Sequence, residues 1–195
     1  MLVAIVSLAA SVWAQSLTQA DRDWAVKYLE STRQGVQDAT AGLSQAQWNF
    51  KPATDKWSVA EVTEHIAAAE DFLRGMVTDQ VMKAPPRPAG EDVKAIDEMV
   101  LTEIPDRTHK AQAPEPLKPT NRYGSPEASL KHFAESREQT LDFLNKHDDL
   151  RDHASDSPMG KKLDAYEWIL FIAAHSERHT KQINEVKADP NFPKK

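Results

Sequence analysis

Residues 168–186 read WILFIAAHSERHTKQINEV. Trp168, Ile169, Ile172 and Ile183 recur at helical intervals, and Asp164 with Glu167 supplies the D-x-x-E pattern that opens a helix. Asp189-Pro190 stops it, so a long helix is predicted from about Asp164 to Val186. This is the most apolar stretch of the C-terminal half, yet His175 and His179 lie one turn apart on the face that should enter a core. Gln182 continues that face.

Working outward, three more segments show the same period. Thr18 with Asp21 opens one that runs to Gly42, with Trp24, Tyr28, Val36 and Ala39 as its apolar stripe. Ser58 with Glu61 caps a second that runs to about Met82 on Val59, Val62, Ile66, Ala69, Leu73 and Met76, with His65 bordering the stripe. Ser125 followed by Pro126 opens a third, carried by Leu130, Phe133, Ala134, Leu141 and Leu144 to near Leu150. Residues 48–57 (WNFKPATDKW) and 151–160 (RDHASDSPMG) read as loops, and almost no segment alternates like a strand.

The middle of the chain differs. Residues 83–90 (KAPPRPAG) and 111–124 (AQAPEPLKPTNRYG) are too rich in proline for helix, while 91–104 (EDVKAIDEMVLTEI) suits a short one. The stretch reads first as a crossover along the molecule and second as a lid over one end. The prediction is an all-α fold: a four-helix bundle with a long Pro-rich central crossover, in one domain over residues 15–195.

The chain has 195 residues, 40% hydrophobic and 28% charged, with a formal net charge of −6, which argues against nucleic acid as a partner. Cysteine is absent, so disulfides, CxxC metal sites and a thiol nucleophile are excluded. Residues 1–14 (MLVAIVSLAASVWA) are uncharged and end in a small-residue pattern, Val12-Trp13-Ala14, which reads as a signal peptide lacking its basic start. The run is too short to span a bilayer. The expected location is therefore periplasmic or secreted, or cytoplasmic if the start is misassigned.

Two imidazoles at i and i+4 can hold one metal ion, and the same spacing also suits two histidines on a solvated helix edge. A third ligand must come from elsewhere, and His65 is the best candidate because it sits awkwardly against a core stripe. His109, His132, His147 and His153 read as surface residues. Glu64 and Glu177 adjoin or flank the histidines on what reads as solvated face, Glu70 reads as unremarkable, and none stands out as a general base. Phosphate loops and the G-x-S-x-G, S-x-x-K and H-E-x-x-H motifs do not occur.

Residues 50–72 (FKPATDKWSVAEVTEHIAAAEDF), followed much later by residues 168–186, resemble the DinB/YfiT-like superfamily. There a Pro-containing loop leads through W-S-x-x-E into a helix with the first metal histidine, and the last helix carries H-x-x-x-H and often a Gln. Those positions fall on His65, His175, His179 and Gln182. The resemblance implies a four-helix bundle, a three-histidine site for a divalent metal ion, commonly zinc or nickel, and often a homodimer. For activity it implies thiol transfer or metal-dependent hydrolysis of a small-molecule substrate, or none known. Export would separate the protein from cytosolic thiols, which favours hydrolysis. A non-catalytic exported bundle that binds metal or a partner is the alternative.

Overall fold

The computed structural model describes residues 16–87 and 90–194; the leader reading of residues 1–14 lies outside them. In chain order the helices are α1 (Gln19–Thr40), α2 (Gln45–Asn49), α3 (Val59–Asp79), α4 (Val93–Glu103), α5 (Pro126–Lys146) and α6 (Ala165–Lys187). Strands β1 (Ala154–Asp156) and β2 (Lys162–Asp164) pair antiparallel just ahead of α6. No helix among the described residues is long and apolar enough to cross a membrane.

The helix starts obey their sequence signals. Thr18, Ser58 and Asp164 each accept the backbone N–H three residues on, and Asp21, Glu61 and Glu167 each reach back to the cap. Ser125 caps α5 with Pro126 in its first turn.

The four long helices α1, α3, α5 and α6 form the bundle, and specific contacts fix their directions. The Tyr166 hydroxyl donates to the Asp21 carbonyl at 2.8 Å, and Lys187 donates to the Ala39 carbonyl at 2.6 Å. These bonds join starts to starts and ends to ends, so α1 and α6 run parallel. Arg22 donates to the His147 carbonyl at 2.9 Å, so α5 runs against α1. The starts of α3 and α5 line one cleft, so those two are also parallel. Consecutive parallel helices need a connection as long as themselves, and this is why a long Pro-rich segment separates α3 from α5.

The crossover does more than return the chain. Its first half, α4, packs along α6, and its second half lies on the start of α3. Every residue from Leu163 to Ala174 is consequently buried, as is every residue from Val62 to Glu70. A helix covered on all sides needs no polar face, which explains the unbroken apolar run in α6.

Several expectations are corrected. Trp24 is 44% exposed and Tyr28 only partly covered; Val36 and Ala39 of the expected stripe are buried, and Ala25, Leu29 and Thr32 complete the buried face of α1. The loop after α1 contains α2, capped by Ser44, and residues 151–160 belong partly to the hairpin. α5 ends at Lys146, short of Leu150. Glu70 is buried: Arg137 grips both its oxygens at 2.8 Å and also reaches the Leu29 carbonyl, Thr32 and Ser176. One guanidinium thus links all four long helices. Tertiary neighbours decide these cases, and local periodicity does not register them.

Candidate metal centre

His65 stands in the second turn of α3, and His175 and His179 stand near the middle of antiparallel α6, so all three face the α3–α6 seam. Their Nε2 atoms form a nearly equilateral triangle: 3.2 Å from His65 to His175, 3.1 Å from His65 to His179 and 3.1 Å from His175 to His179. The structure therefore brings together all three candidates that the sequence named. Among the described residues no carboxylate joins the group.

Hydrogen bonds decide the tautomers. Nδ1 of His65 lies 2.8 Å from the Leu117 carbonyl oxygen, which can only accept, so that nitrogen carries the proton. Nδ1 of His179 lies 2.8 Å from Oε1 of Gln182. That atom also accepts from Arg107 at 3.3 Å, which fixes it as oxygen. The neutral rings of His65 and His179 therefore turn two Nε2 lone pairs toward each other at 3.1 Å.

A charged ring is disfavoured here. Burial, foremost, holds all three imidazoles below the ordinary histidine range; His65 and then Arg178 add to it at His175, and the two neighbouring rings and Arg107 add to it at His179. His65 and His179 are 3% and 7% exposed, whereas His175 is only partly covered. Trp57 packs on His65 with ring centroids 4.9 Å apart, and Phe171 stacks on His175 at 6.4 Å.

The donor set fits a divalent transition metal. Three imidazole nitrogens around a tetrahedral ion with M–N distances of about 2.0–2.1 Å stand roughly 3.3 Å apart. The observed spacing needs only a slight opening. Ring orientation by a carbonyl and a side-chain amide is the support that ligating histidines typically have.

The sequence reading missed residues around the triad. Glu64 is buried and accepts from the backbone N–H groups of Thr120, Asn121 and Arg122 at 2.7, 2.8 and 3.2 Å. Burial works to raise its pKa, but those bonds and Arg122 hold it below the ordinary value. Glu177, read as solvated, is partly covered and accepts from Tyr28 at 2.7 Å. A glutamate beside a core stripe carries no local sign that another segment will cover it. His109 is exposed, as expected; His132 is partly covered beside Asp71, and His153 bonds the Ala84 carbonyl. A cleft of about 660 Å³ opens between the starts of α3 and α5 and is lined by none of the three histidines.

Comparison with known proteins agrees with this architecture. Over 147 residues the chain is 29% identical to the uncharacterized protein YuaE of Bacillus subtilis (strain 168), covering 75% of this chain and 86% of that protein. YfiT from Bacillus subtilis, described as a probable metal-dependent hydrolase with an unusual four-helix bundle topology, superposes with a TM-score of 0.56. The superposition covers 92% of this chain and 93% of YfiT at 17% identity, a likeness of fold. A model of the DinB superfamily matches residues 28–183, a span that contains His65, His175 and His179 and most of every bundle helix. The chain belongs to the DinB superfamily.

Proposed function

We propose that His65, His175 and His179 hold one divalent metal ion, zinc or nickel, and that the protein is a metal-dependent hydrolase of a small molecule. The observation that carries this reading is the pair of Nε2 lone pairs turned toward each other at 3.1 Å in a buried site. Such an arrangement is unfavourable unless a cation shares them. The description of YfiT supports hydrolysis as the first reaction to test.

When bound, such an ion supplies Lewis acidity that lowers the pKa of a coordinated water or thiol. The chain supplies the rest. Leu117 and Gln182 keep His65 and His179 in the Nδ1–H tautomer, so that Nε2 faces the centre. Trp57 and Phe171 pack apolar surface on the rings and limit water. The partly open side at His175 is where a substrate approaches. With no carboxylate in the group, proton removal relies on the ion's effect rather than on a side-chain base.

Thiol transfer is the second reading, favoured by the same lack of a base, since a thiol ionises far more readily than water. A non-catalytic metal-binding bundle is the third. Export and a homodimer belong to the proposal as expectations carried from residues 1–14 and from the family resemblance.

Elemental analysis of untagged protein tests the centre: about one metal ion per chain is expected, and none retained at micromolar zinc or nickel sinks it. Ester, amide and thiol-transfer assays before and after chelation then separate the readings. Loss of a catalytic ion changes the melting temperature modestly and removes turnover, whereas loss of a purely structural ion costs stability with no turnover to lose.

A further inference from the structure

The crossover ends in a strap, residues 116–122, that encloses the outer face of α3 beside the histidine centre. Glu64 receives three consecutive backbone N–H groups from Thr120, Asn121 and Arg122. It also receives Nε of Arg122 at 3.2 Å. The other two nitrogens of that guanidinium donate to the Pro116 carbonyl at 3.0 Å and the Lys118 carbonyl at 2.7 Å. Between those two carbonyls lies that of Leu117, which accepts the His65 Nδ1–H, while the Leu117 side chain is itself buried. The circuit is closed: Glu64 holds Arg122, Arg122 fixes the peptides flanking Leu117, and Leu117 orients the residue next to Glu64.

Ordinary packing does not require this construction. A surface loop could cover α3 with apolar side chains alone, yet here a buried carboxylate is committed to three main-chain donors and one guanidinium. The conformation is specific enough that Asn121 adopts φ 61°, in the left-handed region that non-glycine residues seldom enter.

We infer that Glu64 and Arg122 are positioning residues for the metal centre, acting through the strap to hold the Leu117 carbonyl on His65. The inference rests on the metal reading above. It assigns the proline-rich crossover a second role, as the outer support of a ligand contributed by another element. Neither residue touches the centre directly, and an outer hydrogen-bond partner of a ligating histidine typically governs its basicity and ring orientation.

Cobalt(II) is a suitable probe, because its visible spectrum reports ligand geometry without reference to catalysis. Glu64→Ala, with all three histidines intact, is expected to weaken cobalt affinity about 10–100-fold and to shift the d–d bands. The His65 Nδ1–H resonance should exchange faster, while that of His179, held independently by Gln182, stays unchanged. Glu64→Gln, which keeps the shape and one acceptor oxygen, should recover part of the affinity. If Glu64→Ala does not fold, Arg122→Met decides the matter, since it keeps the three main-chain bonds to Glu64 and removes only the guanidinium's bonds to Glu64 and to the Pro116 and Lys118 carbonyls. Wild-type protein that binds one cobalt while a folded Glu64→Ala or Arg122→Met variant binds it equally well overturns this inference and leaves the centre intact. Wild-type protein that binds no cobalt overturns the metal reading and this inference together.

Discussion

Helix α6 carries two buried polar clusters, and they differ in kind. At its start, Asp164 and Glu167 meet Asp97 of α4 and two arginines. Arg151 takes both oxygens of Asp97 at 2.9 and 2.7 Å, reaches Asp164 at 3.1 Å and lies 4.2 Å over the Tyr166 ring. Arg87 pairs with Glu167. Farther along, His175 and His179 meet His65 with no charge of either sign inside the group.

The difference separates a cluster that carries its own counterions from one that carries none. The first contains its own counterions: each of its carboxylates faces a guanidinium, and the resulting pairs tie α4, the crossover and the hairpin to α6. Its residual excess of negative charge is met by a proton, since burial, and then Asp164, push the Glu167 carboxyl up to about 7. The second cluster turns the lone pairs of His65 and His179 toward each other, and burial disfavours a charged ring there. Nothing inside the group supplies a counter-charge, which is the basis of the proposed metal site.

The sharpest way to break this comparison is to remove one ring. His175→Ala should reduce bound metal from about one per chain to background by elemental analysis, with the fold retained in circular dichroism. Equal metal in wild type and variant would show that the triad is not the ligand set.

The next effect concerns a cluster of the first kind in the bundle centre. Arg137→Ala leaves Glu70 buried without its guanidinium and should cost about 3–5 kcal/mol in chemical denaturation. Replacing both partners by apolar residues, as in Arg137→Met with Glu70→Leu, should cost much less. If the single and double variants lose the same stability, the pair is not acting as a compensated charge.

The two clusters on α6 should also answer pH with opposite signs. Glu167 keeps its proton in the folded chain up to about pH 7, whereas the unfolded chain loses it near the ordinary value of 4.5. The folded state binds more protons in that window, so this group makes stability fall as pH rises through it. The histidines act oppositely in the metal-free chain. The unfolded state takes up protons below pH 6.5 and the folded state resists, so stability is lost on acidification. The limbs partly cancel in the wild type. Glu167→Gln should remove its part of the falling limb, which Asp164 shares, so that stability climbs more steeply from pH 5 to 7, and an unchanged profile would contradict the assignment. About 1.4 kcal/mol is at stake per pH unit by which a group is displaced.

The smallest effects belong to apolar residues outside either cluster. Trp24 and Phe72 are 44% and 47% exposed. Serine at either position should change stability by about 0.5 kcal/mol or less, whereas the same change at buried Phe133 or Ile169 should cost several times more.

Much of this was legible from the chain alone, for definite reasons. Capping boxes act within four residues, so Thr18, Ser58 and Asp164 announced their helices without reference to anything distant. The i, i+4 spacing of His175 and His179 fixed two rings on one face before any partner was known. His65 stood out because an imidazole bordering an apolar stripe has few reasons to be there. Trp24 misled because the stripe on α1 was drawn through its aromatic residues, whereas the buried face lies one position on, at Ala25.

What tertiary structure alone decided is everything carried by contacts between distant segments. The parallel course of α3 and α5, the burial of Glu64 and Glu70, the strap at residues 116–122 and the tautomers of His65 and His179 all depend on pairs tens of residues apart or more, or on one atom's exact direction. Hydrophobic period and capping are local, and a sequence displays local physics directly. Which polar group a helix meets once another segment lies across it depends on packing, and only the folded chain contains that information.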